Sequence, residues 1–170
     1  MEQQLLILGI LLGGKMHGYR INEYVMHAMN LYTDLKKSKV YYTLDKLAKD
    51  SYVQYEIEKE GKRPERRVYQ ITDKGKSYFI NLLHQHLGDF TRTYYVDDIG
   101  IAFMGQLSNT LVYQLLKKKR KKIEATLKQF RDIPDHGANW RYVIMHNIMH
   151  LEVDLAWIDS IISELSDVKT

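Results

Sequence analysis

Hydrophobic spacing divides this chain into segments of different kinds. Residues 2–13 are apolar nearly all round from Leu5 to Leu12, which predicts a helix buried on most faces and stopped by Gly13-Gly14. Ile21, Tyr24, Val25, Ala28 and Met29 then recur at i, i+3, i+4, i+7 and i+8, the spacing of an amphipathic helix. Asn30 to Lys37 is polar and aperiodic, hence a loop. A third helix is expected over residues 38–50, with Ser38 as N-cap and Val40, Leu44, Leu47 and Ala48 turned inward. The period then switches to two: Val53, Tyr55 and Ile57 alternate with Gln54, Glu56 and Glu58, which predicts a strand with one buried face. A turn at Glu60-Gly61-Lys62-Arg63-Pro64 returns the chain into a second strand, residues 66–71. Thr72 can cap a helix over 73–90 whose inner face carries Tyr78, Leu82, Leu83 and Leu87.

From Tyr94 the pattern lengthens. Residues 94–106 are mostly apolar and predict a helix. Ser108 is the expected N-cap of the next one, which runs to about Arg131 and ends before Ile133-Pro134. The last helix, over residues 138–166, is the most regular segment. Ile144, Ile148, Leu151, Leu155, Ile158, Ile162 and Leu165 advance in alternating steps of four and three, a coiled-coil seam that predicts dimerisation. Trp140, Met145, Met149, Val153, Trp157 and Ile161 widen the apolar surface, so this helix needs more than one neighbour. The whole reads as a mainly α chain: a helix–hairpin–helix domain over 1–90 and a helical domain over 91–170.

Charge changes the picture in one place. Residues 36–76 hold 12 Lys/Arg and 7 Asp/Glu, whereas the full chain has 25 and 21, so everything outside this stretch is net −1. Phosphate backbones reward local charge density, and this stretch supplies it. On the helix of residues 38–50, Lys39, Tyr42, Thr43 and Lys46 share a face opposite the apolar one. Lys62, Arg63, Arg66 and Arg67 crowd the hairpin, where four cations repel one another unless an anion joins them. The same surfaces are open to a plainer account, a solvated helix face and an edge strand guarded by charge.

Other features exclude more than they assign. The chain has no cysteine, so disulfides and thiolate metal sites are ruled out. Leu5 to Leu12 is too short to span a bilayer, and a cytoplasmic location is expected. No nucleophile–base pair, glycine-rich phosphate loop or carboxylate cluster points to an enzyme, and no cofactor is implied. His84 and His86 stand at i, i+2 and diverge on a helix, so they cannot share an ion. His146 and His150 have a metal-compatible i, i+4 spacing with Asp154 beyond, but a packed or interface pair accounts for them as well and no metal is expected. Six consecutive cations, Lys117 to Lys122, wrap the helix and predict a solvated surface more than a single binding stripe.

Three strings carry a resemblance. Leu6-Ile7-Leu8-Gly9-Ile10-Leu11 with His17-Gly18-Tyr19-Arg20-Ile21, then Val40-Tyr41-Tyr42-Thr43-Leu44-Asp45-Lys46-Leu47, then Arg66-Arg67-Val68-Tyr69-Gln70-Ile71-Thr72-Asp73-Lys74-Gly75-Lys76 resemble, in that order, the first 80 residues of PadR-family transcriptional regulators. The resemblance implies a winged helix-turn-helix with a two-stranded β-wing, followed by a helical dimerisation domain. It implies a homodimeric bacterial repressor on pseudo-palindromic double-stranded DNA. The contacts would come from Lys37, Ser38, Lys39, Tyr41, Tyr42, Thr43, Lys46, Lys62, Arg63, Arg66, Arg67 and Tyr69. Release by a small aromatic effector follows from the same likeness, with Tyr94, Tyr95, Trp140, Met145, Met149 and Trp157 as pocket residues, although core packing also explains a Met/Trp stripe. Two positions depart from the family: Ser51 stands where glycine is usual, and Tyr42 where proline is common. A helical module that uses the winged fold to bind protein is the alternative.

Overall fold

The computed structural model describes residues 1–59, 65–134, 137 and 139–167. Two compact units, Met1–Arg92 and Thr93–Thr170, divide the chain.

In the first unit the elements run α1 (Glu2–Leu11), β1 (Met16–His17), α2 (Gly18–Glu23), α3 (Lys37–Lys49), β2 (Val53–Glu58), β3 (Arg66–Ile71) and α4 (Asp73–Gly88). α2 continues as a π-helical turn, Tyr24–Ala28, which buries Val25 but leaves Tyr24 exposed. The core is drawn from every element but β1: Ile7, Leu8 and Leu11 of α1, Ile21 and Val25, Val40, Leu44 and Leu47 of α3, Val53, Tyr69 and Ile71 of the sheet, and Leu82 of α4, with Met16 of β1 partly buried against it. Fully burying an aliphatic side chain of this size contributes about 1.5–3 kcal/mol, so this cluster supplies most of what holds the unit together.

The sheet has three antiparallel strands in the order β1-β3-β2, not the two expected from the alternating stretches. Met16 faces Tyr69 and His17 faces Val68, so β3 is the central strand. Two residues are too short to show a period, which is why β1 reads as loop. The expected inward face of β2 also shrinks: Val53 is buried, but Tyr55 is partly open and Ile57 is 59% exposed. Tyr55 packs instead against Tyr69 and Arg67 of β3.

Two of the three expected joints are present as read, and the third lies elsewhere. Thr72 caps α4, its hydroxyl accepting from Gly75 N at 3.0 Å and donating to the Ser51 and Tyr52 carbonyls at 2.9 and 3.1 Å. Ser51 adopts φ 61°, the left-handed conformation that glycine takes without penalty. Its N–H reaches Ala48 O at 3.0 Å and the Tyr52 N–H reaches Leu47 O at 2.9 Å, the paired bonds of a Schellman ending. Ser38, by contrast, does not cap α3. The helix begins one residue earlier, Lys36 holds the cap position without a side-chain bond, and Ser38 lies in the first turn.

The second unit holds α5 (Asp97–Ala102), a 3₁₀ turn (Met104–Gln106), α6 (Asn109–Arg131) and α7 (Trp140–Asp167). The helix expected over 94–106 is thus shorter and broken. Ser108 caps α6, accepting from Leu111 N at 3.4 Å. α6 and α7 pair antiparallel, tied by Arg120 to Asp159 (2.6 and 3.0 Å) and by Arg131 to Glu152 (2.7 Å). Val112 and Leu116 of α6 pack with Ile158 and Ile162 of α7, with Leu165 and Ile123 partly buried against them. The C-terminal part of the seam, expected to meet a second subunit, is therefore occupied within the chain. Both assignments satisfy the same four-and-three spacing, and α6 reaches Ile158, Ile162 and Leu165 first.

Candidate nucleic-acid interface

α3 divides its residues cleanly. Val40, Leu44 and Leu47 are inside, while Lys37, Ser38, Lys39, Tyr42 and Lys46 are exposed, Tyr42 at 65%. Thr43 joins the buried set at 3%, its hydroxyl donating to Lys39 O at 2.7 Å, and cannot meet a ligand as expected. It stands three residues after Val40 and four before Leu47, which puts it on the core stripe.

Across from α3, strand β3 supplies two arginines. The Arg66 guanidinium lies over the Tyr19 ring, 5.4 Å from its centroid, with no carboxylate partner among the described residues. Arg67 donates to Asp45 Oδ1 at 2.9 Å and covers the Tyr55 ring at 4.5 Å. A hydrogen bond to the Tyr69 side chain, outweighing partial desolvation, holds this guanidinium above its ordinary pKa. Burial pushes the Tyr69 phenol up, with Arg67 opposing it. Lys62 and Arg63 lie outside the described residues.

Tyr69 is 2% exposed, so it is not a direct contact residue as expected; it is a support. Its ring packs onto Gly18, where an added Cβ would sit 3.0 Å from Tyr69 Cε2 and 3.4 Å from Tyr41 Cε1. Any side chain at position 18 would push one of these rings aside by a few tenths of an ångström. Gly18, Tyr19, Tyr41, Glu65, Arg66, Arg67 and Tyr69 together line an open cleft of about 530 Å³. The sequence alone assigns Gly18, Tyr19 and Asp45 no part in the site, and the structure brings all three to it. An acidic residue inside a basic face is the one signal that could have exposed the Asp45–Arg67 pair.

Of the wing's other carboxylates, Glu65 lines the same cleft and pairs with Lys59 at 3.5 Å, and Glu58 stands opposite Arg66 in the β2–β3 register. Lys15 Nζ meets Glu56 Oε1 at 3.0 Å and His17 Nε2 meets Glu58 Oε2 at 3.6 Å. Those two acids are met by Lys15 and His17, while the exposed Lys37, Lys39 and Lys46 of α3 have no carboxylate partner among the described residues. Chemically the face offers ammonium groups, guanidinium groups stacked on phenol rings, and an exposed tyrosine. That combination is suited to phosphate oxygens and base edges.

In the second unit a cavity of about 400 Å³ is lined by Tyr95, Val96, Asp97, Asp98, His150, Val153, Asp154 and Trp157. Of the expected pocket residues it gathers Tyr95 and Trp157. Tyr94, Trp140, Met145 and Met149 do not line it. Trp140 precedes Trp157 by 17 positions on α7, about 25 Å along a helix axis, too far for one small pocket. Met145 and Met149 project with Tyr142 and Val153 as an exposed apolar stripe. His146 and His150 touch each other, Nε2 to Nε2, at 3.1 Å. Among the described residues no group of three or more His, Asp or Glu could hold a metal ion, and no helix is long and apolar enough to cross a membrane.

Comparison with known proteins agrees with this geometry. The negative transcriptional regulator PadR of Bacillus subtilis (strain 168) is 23% identical over 175 residues, covering 92% of this chain and 93% of that protein. The crystal structure of Bacillus subtilis PadR in complex with operator DNA superposes with a TM-score of 0.80 at 20% identity, covering 97% of this chain and 99% of that one. The structure of the same protein with p-coumaric acid gives 0.75 at 20% identity, covering 96% and 94%. Residues 7–81, the segment that holds α3, the wing and the Tyr19 cleft, match the model of the transcriptional regulator PadR-like family.

Proposed function

We propose that this chain is a homodimeric repressor that grips double-stranded operator DNA with α3 and the wing and does no covalent chemistry. The observation that carries the reading is the α3–β3 face: exposed Lys37, Lys39, Tyr42 and Lys46 beside a cleft in which Arg66 rides on Tyr19. Tyr42 and Ser38 are the side chains placed to meet base edges. The lysines and Arg66 serve the phosphates, and Lys62 and Arg63 add two further cations between β2 and β3 in the sequence. The regulator of Bacillus subtilis whose complex with operator DNA has the same fold supports this use of the surface.

Two copies are needed to read a palindromic site. Because Ile158, Ile162 and Leu165 are spent on α6, the surface left for a partner is the other face of α7, where Tyr142, Met145, Met149 and Val153 are exposed. The rest of the predicted seam, Ile144, Ile148, Leu151 and Leu155, is half-buried and borders it. The cavity at Tyr95 and Trp157 is the effector site, and the p-coumaric acid complex of the Bacillus subtilis protein supports a small aromatic ligand.

Titrating labelled promoter DNA at several salt concentrations tests the reading. With about four phosphates neutralised per subunit, log affinity falls with log salt at a slope of roughly −7 per dimer. The double variant Lys39→Ala, Arg66→Ala loses DNA while remaining a dimer by sedimentation. A slope near zero, or a variant that binds as before, refutes the interface.

A further inference from the structure

We propose that the cavity beside α7 takes a cationic aromatic ligand, a ring bearing an amine, in preference to an aromatic carboxylate; the proposal rests on reading that cavity as the effector site. Its volume of about 400 Å³ lies within the range of small-molecule pockets. Trp157, Tyr95, Val96 and Val153 offer two ring faces and two aliphatic walls, which accommodate a planar apolar body.

The sign of the ligand follows from the remaining wall. Asp97, Asp98 and Asp154 are its ionisable acids and His150 its base-forming group. Asp97 is ion-paired with Lys119 of α6, which does not itself line the cavity. Asp98 and Asp154 have no cationic partner among the described residues, and Asp154 is half-buried. A partly desolvated carboxylate is stabilised by a cation and destabilised by a second anion. The chain also shows this chemistry on itself: the Lys119 ammonium, while paired with Asp97, lies 5.9 Å from the Trp157 ring centroid. An amine entering from the cavity side would meet the same kind of ring and two uncompensated carboxylates. An aromatic acid would bring its charge against both. At the intermediate screening of an open cleft, reversing the sign of the ligand shifts affinity by about tenfold or more.

The test uses the full chain and three ligands of one shape: 4-hydroxyphenethylamine, 3-(4-hydroxyphenyl)propanoate and neutral 4-ethylphenol. The chain has two tryptophans, so Trp140→Phe makes the fluorescence report Trp157 alone, and calorimetry on the unaltered protein gives an independent reading should that variant fold poorly. The amine should bind at least tenfold tighter than the acid, with the neutral phenol between them. Asp98→Asn and Asp154→Asn should each weaken the amine severalfold and together erase the preference. A carboxylate bound as tightly as the amine overturns the charge assignment and leaves an effector site in place. Failure of all three to bind overturns the effector reading itself, and this proposal with it.

Discussion

Replacing Gly75 by alanine sets two effects against each other. Alanine is worth about 1 kcal/mol more than glycine inside a helix, so propensity alone predicts a more stable α4. The structure predicts the reverse. A Cβ built at Gly75 falls 2.0 Å from Tyr52 O and 2.9 Å from Ile71 Cγ1, and the first of these is backbone that cannot rotate aside. Carbon and oxygen need more than 3 Å, so α4 and the Tyr52 carbonyl must part by about 1 Å. That movement strains the bonds holding the joint: Thr72 N to Tyr52 O at 3.1 Å, Thr72 Oγ1 to Tyr52 O at 3.1 Å, and Gly75 N to Thr72 Oγ1 at 3.0 Å. Three bonds at about 1 kcal/mol each, less the propensity gain, leave a net loss of about 2 kcal/mol. For a chain of this length that lowers Tm by roughly 4–8 °C. Thermal unfolding followed by circular dichroism measures it. A Gly75→Ala protein as stable as the parent, or more so, refutes the close approach of α4 to the start of β2.

Three further outcomes follow from the same geometry. Asp45→Ala releases Arg67 from its 2.9 Å ion pair; DNA affinity at fixed salt should rise and the salt slope steepen by about 2 per dimer, one phosphate per subunit, and an unchanged slope would show that Arg67 does not reach phosphate. Ser51→Gly relieves the left-handed backbone at φ 61° and should add about 0.5–1 kcal/mol, or roughly 1–4 °C in Tm, with no change in DNA affinity. Asp159 is held below the ordinary carboxylate range by its hydrogen bond to Arg120, so its folded pKa is lower than its unfolded one. The stability it contributes is present above about pH 4 and is lost as pH falls through the lowered value. Asp159→Asn should therefore destabilise α6–α7 at pH 7, with the difference from the parent in urea titrations shrinking by pH 3.

Much of this molecule is written in local terms that a linear reading captures. A capping hydroxyl acts over three residues, as Thr72 and Ser108 show. A missing glycine leaves a strained φ where it was expected, at Ser51. The concentration of cations between Lys36 and Lys76 needs no coordinates either, since charge density along thirty or forty residues survives folding into any small domain.

Tertiary structure decided the questions in which one residue had two acceptable partners. The seam of α7 satisfied a second subunit and α6 equally well, and packing gave Ile158 and Ile162 to α6. Thr43 stood on the border of two faces until Val40 and Leu47 drew it inward. β1 became a strand only because β3 had an open edge, and Arg67 found Asp45 across 22 positions of sequence. Periodicity and capping are properties of neighbouring residues, so the amino-acid order determined them at Thr72 and Ser108. Ser38 shows that a capping residue type alone does not fix where a helix starts. The choice among distant partners depends on which surfaces meet first in three dimensions, and that is set by the packing of the whole chain.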